Sequence, residues 1–550
     1  MELRLFGPPG TGKTTRLAER IEVAAKKFGR RGVIVSSFTR AAAREIASRT
    51  DALDPSQVGT LHALCYHALN RPDIAEGHID EFNKEKPHFA LSGAKDKSVD
   101  DPFGKEQTQT TTGDELMRRL QNLRARMVPK DHWPGNVKSF SAAWEAWKEA
   151  SYYYDFTDLI DRGIKELDTA PGDPRVGIVD ESQDMCRHQM TLIRRWAKSM
   201  DYILMAGDDD QLLYNFSGAT PDAFLEPPIP DKQKEILTQS YRIPAAVHRV
   251  AEKWITQIEK REPKEYRPRD YEGEATIGIG CCDNPRLFLN EVEQRVTDEG
   301  ETVMILASCS YLLNSTIAML REKGLPFHNP YRKTNGAWNP LQRRRGATMT
   351  VDRLAAFTNP TLGFPPVWSM EDIAKFSGHL RAKGTILHGA KMFAKEFADK
   401  GVEMPSEANK AYLDMLRMFF EDHVAVDLFK QLNEGIHPEW YLERVLPTKR
   451  QGYDYPMKVL KSQGDSGLLD VPKIIVGSVH SVKGGESDNV YFMPDLSAAG
   501  MREWTQLGQG RDAIVRMAYV AMTRAKKRLR ILRPAGSMHV DMSRIKGLLG

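Results

Sequence analysis

A loop at positions 7–14 has the residue types and spacing of a phosphate-binding loop. Its residues are Gly7, Pro8, Pro9, Gly10, Thr11, Gly12, Lys13 and Thr14, which fit G-x-x-x-x-G-K-[ST] at every position. Glycines let backbone N–H groups approach phosphate oxygens, and the N-terminus of a following helix adds favourable dipole charge. Lys13 is then expected to contact the β- and γ-phosphates while the Thr14 hydroxyl binds Mg²⁺. The apolar run before the loop and the helical pattern at 15–26 disfavour a chance glycine-rich turn.

Two acidic residues, Asp180 and Glu181, follow the β-branched run at 176–179. An aspartate at the end of such a strand can hold Mg²⁺, and the next carboxylate can polarise an attacking water. Many strands end in acidic turns, so this pair alone is weak evidence. After a phosphate-binding loop it indicates nucleotide hydrolysis rather than binding alone.

The elements that must position these residues form a parallel α/β architecture, because short β-branched runs alternate with helical stretches. One sheet is predicted from strands at 3–6, 32–37, 176–179 and 202–206. A second is predicted from strands at 302–307, 473–478, 489–493 and 528–532. Polar or helical insertions at 71–150 and 331–470 interrupt the two sheets. The first insertion includes a Thr-rich stretch at 107–112.

The composition is that of a folded protein of several domains, with 550 residues, 41% of them hydrophobic and 28% charged. There is no run of about 18 apolar residues and no secretory signal pattern. Five cysteines, an odd number, favour reduced thiols in the cytoplasm. The net charge of +4 says little, but positions 501–550 hold 11 basic and 3 acidic residues. That basic end is typical either of polyanion binding or of a solvated helix face.

Eight further boxes, in order along the chain, resemble the motifs of UvrD/Rep-like superfamily-1A DNA helicases. They are Ser37–Ala42, Val58–His62, Asp155–Leu159, Asp180–Asp184, Gly207–Gln211, Gln239–Arg242, Val479–Glu486 and Ala518–Ala525. The resemblance implies two RecA-like domains with parallel sheets, each carrying an inserted, mainly helical subdomain. The implied domains are 1A (1–70 and 151–235), 1B (71–150), 2A (236–330 and 471–550) and 2B (331–470).

The resemblance also implies roles in binding and hydrolysing ATP with Mg²⁺. The implied catalytic residues are Lys13, Asp180, Glu181, Gln211, Arg242 and Arg524, with Gln211 and the two arginines at the γ-phosphate. Arginines at that place would stabilise charge developing on the transferred phosphoryl group. Tyr241 is expected to stack on the base and Glu486 to contact the ribose, with Thr15 beside the phosphate loop. Thr14 and Asp180 are the expected metal ligands.

Six residues are expected, by the same resemblance, to face single-stranded DNA: Phe38, Thr39, His62, Tyr214, Phe216 and His480. Aromatic rings that stack on bases contribute roughly 1–3 kcal/mol per base. Core packing is the ordinary alternative for any single one of these aromatic residues.

The implied function is an ATP-dependent DNA helicase that moves 3′ to 5′ on single strands and at single-strand/duplex junctions, with replication or repair proteins as candidate partners. The alternatives are a translocase that displaces bound proteins without unwinding, an RNA-acting relative, and an inactive nucleotide-binding scaffold. Compactness and atypical boxes favour a phage or mobile-element version. One departure is Ser217, where the family usually has arginine. Another is the lack of glutamine among positions 1–6, which predicts relaxed selectivity for the nucleobase.

Overall fold

Two sheets of parallel strands organise the protein, for which a computed structural model describes residues 1–49, 51–92, 112–332, 336, 338–344 and 346–549. The first sheet has the order β3-β2-β4-β5-β1-β6, and the second β7-β12-β11-β8-β10-β9. The strands are β1 (Glu2–Phe6), β2 (Val33–Ser37), β3 (Val58–Gly59), β4 (Val176–Asp180), β5 (Tyr202–Gly207), β6 (Lys234–Ile236), β7 (Glu274–Ile277), β8 (Val303–Ala307), β9 (Phe327–His328), β10 (Ile474–Ser478), β11 (Ser487–Phe492) and β12 (Ala525–Ile531).

Helices connect these strands and make up most of the two insertions. In the described ranges they are α1 (Lys13–Phe28), α2 (Arg40–Ser48), α3 (Leu61–Ala68), α4 (Ile79–Glu85), α5 (Thr112–Ala125), α6 (Gly135–Ser151), α7 (Phe156–Glu166), α8 (Arg187–Trp196), α9 (Pro221–Leu225), α10 (Ala245–Ile255), α11 (Arg286–Thr297), α12 (Asn314–Lys323), α13 (Thr350–Thr358), α14 (Met370–Ser377), α15 (Ala390–Asp399), α16 (Lys410–Leu416), α17 (Asp422–Glu434), α18 (Pro438–Arg444), α19 (Pro447–Arg450), α20 (Asp454–Leu469), α21 (Ala498–Thr505) and α22 (Gln509–Met522).

The first sheet brings distant segments of sequence to one edge. Its neighbouring strands all pair in parallel, so β1, β4 and β5 end side by side. The backbone N–H of Gly7, directly after β1, donates to Gly207 O at 3.0 Å. The phosphate-loop residues and the acidic residues after β4 and β5 therefore share this edge, where ligands of open parallel sheets bind.

Both faces of this sheet are buried, which explains its continuous β-branched strands. Leu5, Val35 and Ile178 pack on one face in a cluster that includes residues of α1. Phe6 and Val179 pack on the other face in a cluster that includes residues of α8.

The chain divides into two compact units that do not follow the sequence in order. Unit 1 comprises 1–281, 306–312 and 477–550, and unit 2 comprises 282–305 and 313–476. Within unit 1, helices α5 and α6 share a separate apolar cluster around Phe82 and Trp144. Unit 2 has its own large aromatic cluster, whose buried members all lie between Val351 and Leu468.

The predicted α/β class with two parallel sheets is confirmed. All eight predicted strands are present within one to three residues at each end. The strands that the sequence did not predict, β3, β6, β7 and β9, have only two to four residues. The Thr-rich part of the first insertion lies almost wholly outside the described residues. The four domain boundaries remain predictions.

Two further expectations, on membrane-spanning helices and on the cysteines, can be compared with the described residues. Among the described residues, no helix is both long and apolar enough to cross a membrane. All five cysteines are in the described ranges, and none of them forms a disulfide bond.

Candidate nucleotide and single-strand sites

The phosphate loop joins β1 to α1 with two glycines in left-handed backbone conformation. Gly10 has φ 74° and Gly12 has φ 79°, values that only glycine adopts at little cost. Thr11 closes the turn by donating its N–H and its hydroxyl to Pro8 O, at 3.2 and 2.8 Å. No side chain caps the N-terminus of α1. The loop therefore directs N–H groups and the helix dipole toward a phosphate-sized anion.

Lys13 lies between the two carboxylates that follow β4. Its Nζ is 2.8 Å from Glu181 Oε1 and 3.4 Å from Asp180 Oδ1. Burial alone would lower the pKa of Lys13, but the two carboxylates outweigh it and raise that pKa. Burial would raise the pKa of Glu181, yet Lys13 and Lys483 lower it to about 2. Both groups are therefore charged at neutral pH.

Glu181 has an uncommon backbone conformation. Its φ of 52° and ψ of 37° are left-handed, which is uncommon for a residue with a side chain. Its second oxygen, Oε2, accepts a hydrogen bond from Gln183 Nε2 at 2.5 Å. The neighbouring network thus holds the carboxylate in one orientation despite the backbone cost.

Asp180 and Thr14 fit a magnesium ion by their donor atoms. Mg²⁺ prefers hard oxygen ligands, and one or two carboxylates usually suffice beside substrate phosphates. Asp180 is buried, and within the part of the chain that the structure describes its Oδ1 accepts no hydrogen bond. Burial raises the pKa of Asp180, and Lys13 only partly offsets this. A divalent cation would stabilise the charged carboxylate there.

Gln211 and Arg524 are hydrogen-bonded to each other although 313 positions separate them. Arg524 Nη2 donates to Gln211 Oε1 at 2.9 Å. Arg524 is buried and also donates to Gly485 O, at 3.2 Å. Gln211 in turn donates from Nε2 to Asp208 Oδ2 at 2.7 Å. Two of the three residues expected at the γ-phosphate therefore belong to one hydrogen-bonded group.

Arg242 and Glu486 form an ion pair beside the phosphate loop. Arg242 Nε donates to Glu486 Oε2 at 2.7 Å, and this pairing lowers the pKa of Glu486 against the effect of its burial. The loop itself is tied to the same segment, because Tyr241 N donates to Gly10 O and Ser240 Oγ to Pro9 O, both at 2.8 Å. The predicted phosphate contact and the predicted ribose contact thus pair with each other, and the segment that carries the first is bonded to the phosphate loop.

Tyr241 borders a cavity large enough for a nucleobase. Its side chain is 73% exposed, and the cavity of about 780 Å³ lies between segments 239–245 and 267–272. Arg269 lies over the Tyr271 ring at 4.6 Å on the wall of this cavity. Thr15 is exposed outside it, where its Oγ1 accepts a hydrogen bond from Arg49 at 3.4 Å.

Four of the six residues expected at DNA form a continuous aromatic track. Ring centroids are 4.8 Å apart for Phe38 and Tyr214, 5.8 Å for Tyr214 and Phe216, and 6.1 Å for Phe216 and His480. Tyr214 and His480 are buried, whereas Phe38 and Phe216 are half-buried. The two half-buried rings are the ones that present a face for stacking.

The other two residues lie apart from the ring contacts of the track. Thr39 caps α2, since its Oγ1 accepts from Ala42 N at 3.1 Å. His62 instead has an edge contact with Phe156, with centroids 6.2 Å apart. Burial lowers the pKa of His62 to about 4 and that of His480 to about 3, so both rings are neutral at physiological pH.

Comparison with known proteins agrees with this geometry. Residues 2–228 match the model of the UvrD/REP helicase N-terminal domain. Over these residues the chain is similar to that helicase domain. The chain is also similar to the ATP-dependent DNA helicase PcrA of Bacillus subtilis, at 26% identity over 49% of this chain and 40% of that protein. It is also similar to PcrA of Staphylococcus aureus, at 25% identity over 61% of this chain and 49% of that protein. The similarity thus spans less than half of each relative.

Several residues near these sites were not given a role by sequence reasoning. Lys483 forms an ion pair with Asp184 and lies 5.1 Å from the Tyr214 ring centroid. Lys264 and Arg261 pair with buried aspartates of the Gly207–Gln211 box. Lys483 lies within the Val479–Glu486 box, so its position in the sequence could have indicated a role. Lys264 and Arg261 stand in an ordinary charged segment, which gave no such indication.

Proposed function

We propose that the protein is an ATP-dependent DNA helicase that couples Mg-ATP hydrolysis to 3′-to-5′ movement along single-stranded DNA. The observation that carries this proposal is the hydrogen bond from Arg524 to Gln211. It joins the end of α22 to the turn after β5. That same turn leads, three residues later, into Tyr214 of the aromatic track.

Bound Mg-ATP would supply a transferable phosphoryl group whose charge grows in the transition state. The chain's own residues prepare for that charge: the phosphate loop gives N–H donors, and Lys13, Arg242 and Arg524 give cations. Thr14 and Asp180 would hold the metal. Glu181 is the base, and separation of Lys13 from it would remove the largest influence lowering its pKa. Its affinity for a proton from water would then rise.

Coupling to DNA is proposed to run through Lys483 and Asp184. Lys483 contacts Asp184, which lies three residues after Glu181, and its Nζ is 3.8 Å from Glu181 Oε2. The same ammonium lies over the Tyr214 ring. A change at the hydrolytic carboxylate therefore reaches the stacking residues through one side chain, which supports movement gated by the state of the nucleotide.

A strand-displacement assay on duplexes with a 3′ or a 5′ single-stranded tail tests the proposal. We expect ATP- and Mg²⁺-dependent unwinding of the 3′-tailed duplex only, with Lys13→Ala as the inactive control. Unwinding from the 5′ tail would contradict the direction. DNA-stimulated hydrolysis without unwinding, but with displacement of streptavidin from a biotinylated single strand, would favour the translocase alternative. Stimulation by RNA alone would favour an RNA-acting enzyme.

A further inference from the structure

Three consecutive aspartates in the turn after β5 are buried together. Asp208, Asp209 and Asp210 are each at most 1% exposed. Three carboxylates cannot be buried side by side in charged form unless cations and hydrogen-bond donors compensate them. In the described residues the compensating cations come from the segment between α10 and β7, which holds Arg261 and Lys264.

Lys264 is the centre of this compensation. Its Nζ lies 3.1 Å from Asp208 Oδ1, 2.5 Å from Asp209 Oδ1 and 3.0 Å from Asp210 Oδ2, and its side chain is 1% exposed. Arg261 forms two hydrogen bonds with Asp210, at 2.9 and 2.7 Å. One ammonium therefore contacts all three acids, whereas Arg261 binds only the third.

The first of these acids also orients Gln211. Asp208 Oδ2 accepts from Gln211 Nε2, and Gln211 Oε1 accepts from Arg524. A carboxylate can only accept, so it requires the amide to turn its NH₂ group toward Asp208 and its oxygen toward Arg524. The direction in which Gln211 faces is thus fixed by a carboxylate that Lys264 holds in place.

We propose that Lys264 is a positioning residue for hydrolysis, which acts on Gln211 through Asp208. This inference rests on the proposed function. Without Lys264, Asp208 would lose the ammonium that holds it beside two other buried acids. The Gln211 amide could then face either way, and its pairing with Arg524 would be lost in part of the molecules. We expect the loss in kcat rather than in the KM for ATP, because Lys13 and the phosphate loop are untouched.

Removing Lys264 alone leaves an excess of buried negative charge, so the test keeps the charge balanced. Asp209→Asn serves as the reference chain, and Lys264→Met is added to it with and without Gln211→Ala. Asp209 makes no hydrogen bond to Gln211 among the described contacts. Lys234→Met is the control, because it breaks a less buried lysine–carboxylate pair, with Glu262 at 2.7 Å, and Lys234 has no described ion pair with the three aspartates.

DNA-stimulated ATP hydrolysis is measured for these chains, with melting temperature as a check on folding. We expect Lys264→Met to lower kcat about tenfold or more when Gln211 is present, with KM changed less than about threefold. With Gln211→Ala it should lower kcat less than about twofold, because the residue through which it acts is absent. Lys234→Met should leave kcat near that of the parent.

Two results would overturn the inference, and they are distinguishable. An equal loss of kcat in both backgrounds, or no loss in a folded Lys264→Met chain, would show that Lys264 only stabilises the fold. Absence of nucleotide hydrolysis by the unmodified chain would refute the proposed function and this inference with it.

Discussion

Glu181 is a candidate catalytic residue in an uncommon conformation. It combines left-handed backbone, an ion pair with Lys13 and a hydrogen bond from Gln183. Such a constrained carboxylate next to a metal-type aspartate is suited to orient water rather than to bind phosphate. The neighbouring Asp180, by contrast, keeps one oxygen without a hydrogen bond. We therefore expect different tasks for these two adjacent acids.

Glu181→Gln should retain ATP binding and lose turnover, because the base is removed while Asp180 can still hold Mg²⁺. We expect kcat to fall by about 10²–10⁴-fold, with nucleotide affinity changed only a few-fold. Affinity is measured with a fluorescent ATP analogue and turnover by phosphate release. Glu235→Gln, which removes a carboxylate paired with Arg16 and Arg20, is the control. Loss of binding together with turnover would make Glu181 a structural residue.

Phe216→Ala should weaken binding of single-stranded DNA by roughly 1–3 kcal/mol if the ring stacks on a base. Fluorescence anisotropy with a labelled oligonucleotide measures this directly. Phe28→Ala is the control, since Phe28 is a half-buried ring that packs against the sheet away from the track. Unchanged DNA affinity with a lowered melting temperature would instead assign Phe216 to core packing.

Asp209 makes stability depend on pH in a direction that can be calculated. Burial raises its pKa from 3.8 to about 6, although Lys264 opposes this, with Asp210 and Asp208 adding to the rise. Between these values the folded chain binds more protons than the unfolded chain, so this group's contribution to the free energy of unfolding falls as pH rises.

The variant Asp209→Asn lacks that titration. Its free energy of unfolding should therefore rise relative to the parent between about pH 4.5 and pH 7, by on the order of 1–3 kcal/mol. Urea unfolding at several pH values measures the difference. A difference that stays constant with pH would show that Asp209 remains charged throughout that range.

At the scale of elements, the phosphate loop depends on how closely the segment of Tyr241 approaches it. A Cβ added at Gly10 would lie 2.4 Å from the Arg242 Cβ and 2.9 Å from Ser240 Oγ. Gly29 ends α1 with a similar positive φ of 80°, but nothing lies within 4 Å of a Cβ there. Both glycines have a positive φ, but only at Gly10 would an added Cβ approach other atoms this closely.

Gly10→Ala should therefore weaken ATP binding about tenfold or more, because both backbone strain and displacement of the Arg242 segment act on the loop. Gly29→Ala is expected to lower the melting temperature slightly and to leave ATP affinity unchanged. Fluorescent nucleotide titration and thermal unfolding of both variants measure these effects. Equal effects on affinity would mean that strain alone, and not the contact with Arg242, decides the outcome.

At the scale of the whole molecule, every candidate site residue belongs to unit 1. The large aromatic core of unit 2 is self-contained, since its buried members lie between Val351 and Leu468. All of these buried core residues fall within the sequence range of the predicted subdomain, 331–470. The nucleotide and aromatic sites should thus tolerate its removal.

We expect that replacing 331–470 with a short Gly-Ser linker keeps ATP turnover, stimulated by single-stranded DNA, within about tenfold of the parent. The reason is that separately packed cores contribute to stability almost independently of each other. Turnover and ATP affinity are measured together with circular dichroism. A folded deletion variant that binds no nucleotide would show that the predicted boundaries cut through the hydrolytic machinery.

The sequence by itself determined the phosphate loop, the acidic pair after β4, the longer strands and the order of the boxes. These features are local: a loop of eight residues or a buried strand of five carries its pattern within one window. Strands of two residues, such as β3 and β9, are too short to carry such a pattern.

Only the tertiary structure decided which distant side chains meet. The order of the parallel strands and the long connections between them bring three sets of side chains together. These are Arg524 with Gln211, Lys483 with Asp184, and Lys264 with three aspartates. No local pattern encodes such partners, because any charged residue on a surface segment has the same appearance in sequence. Burial sets both the desolvation penalty of these charges and the strength of their pairing. The identity of a single residue in the sequence does not show whether it is buried.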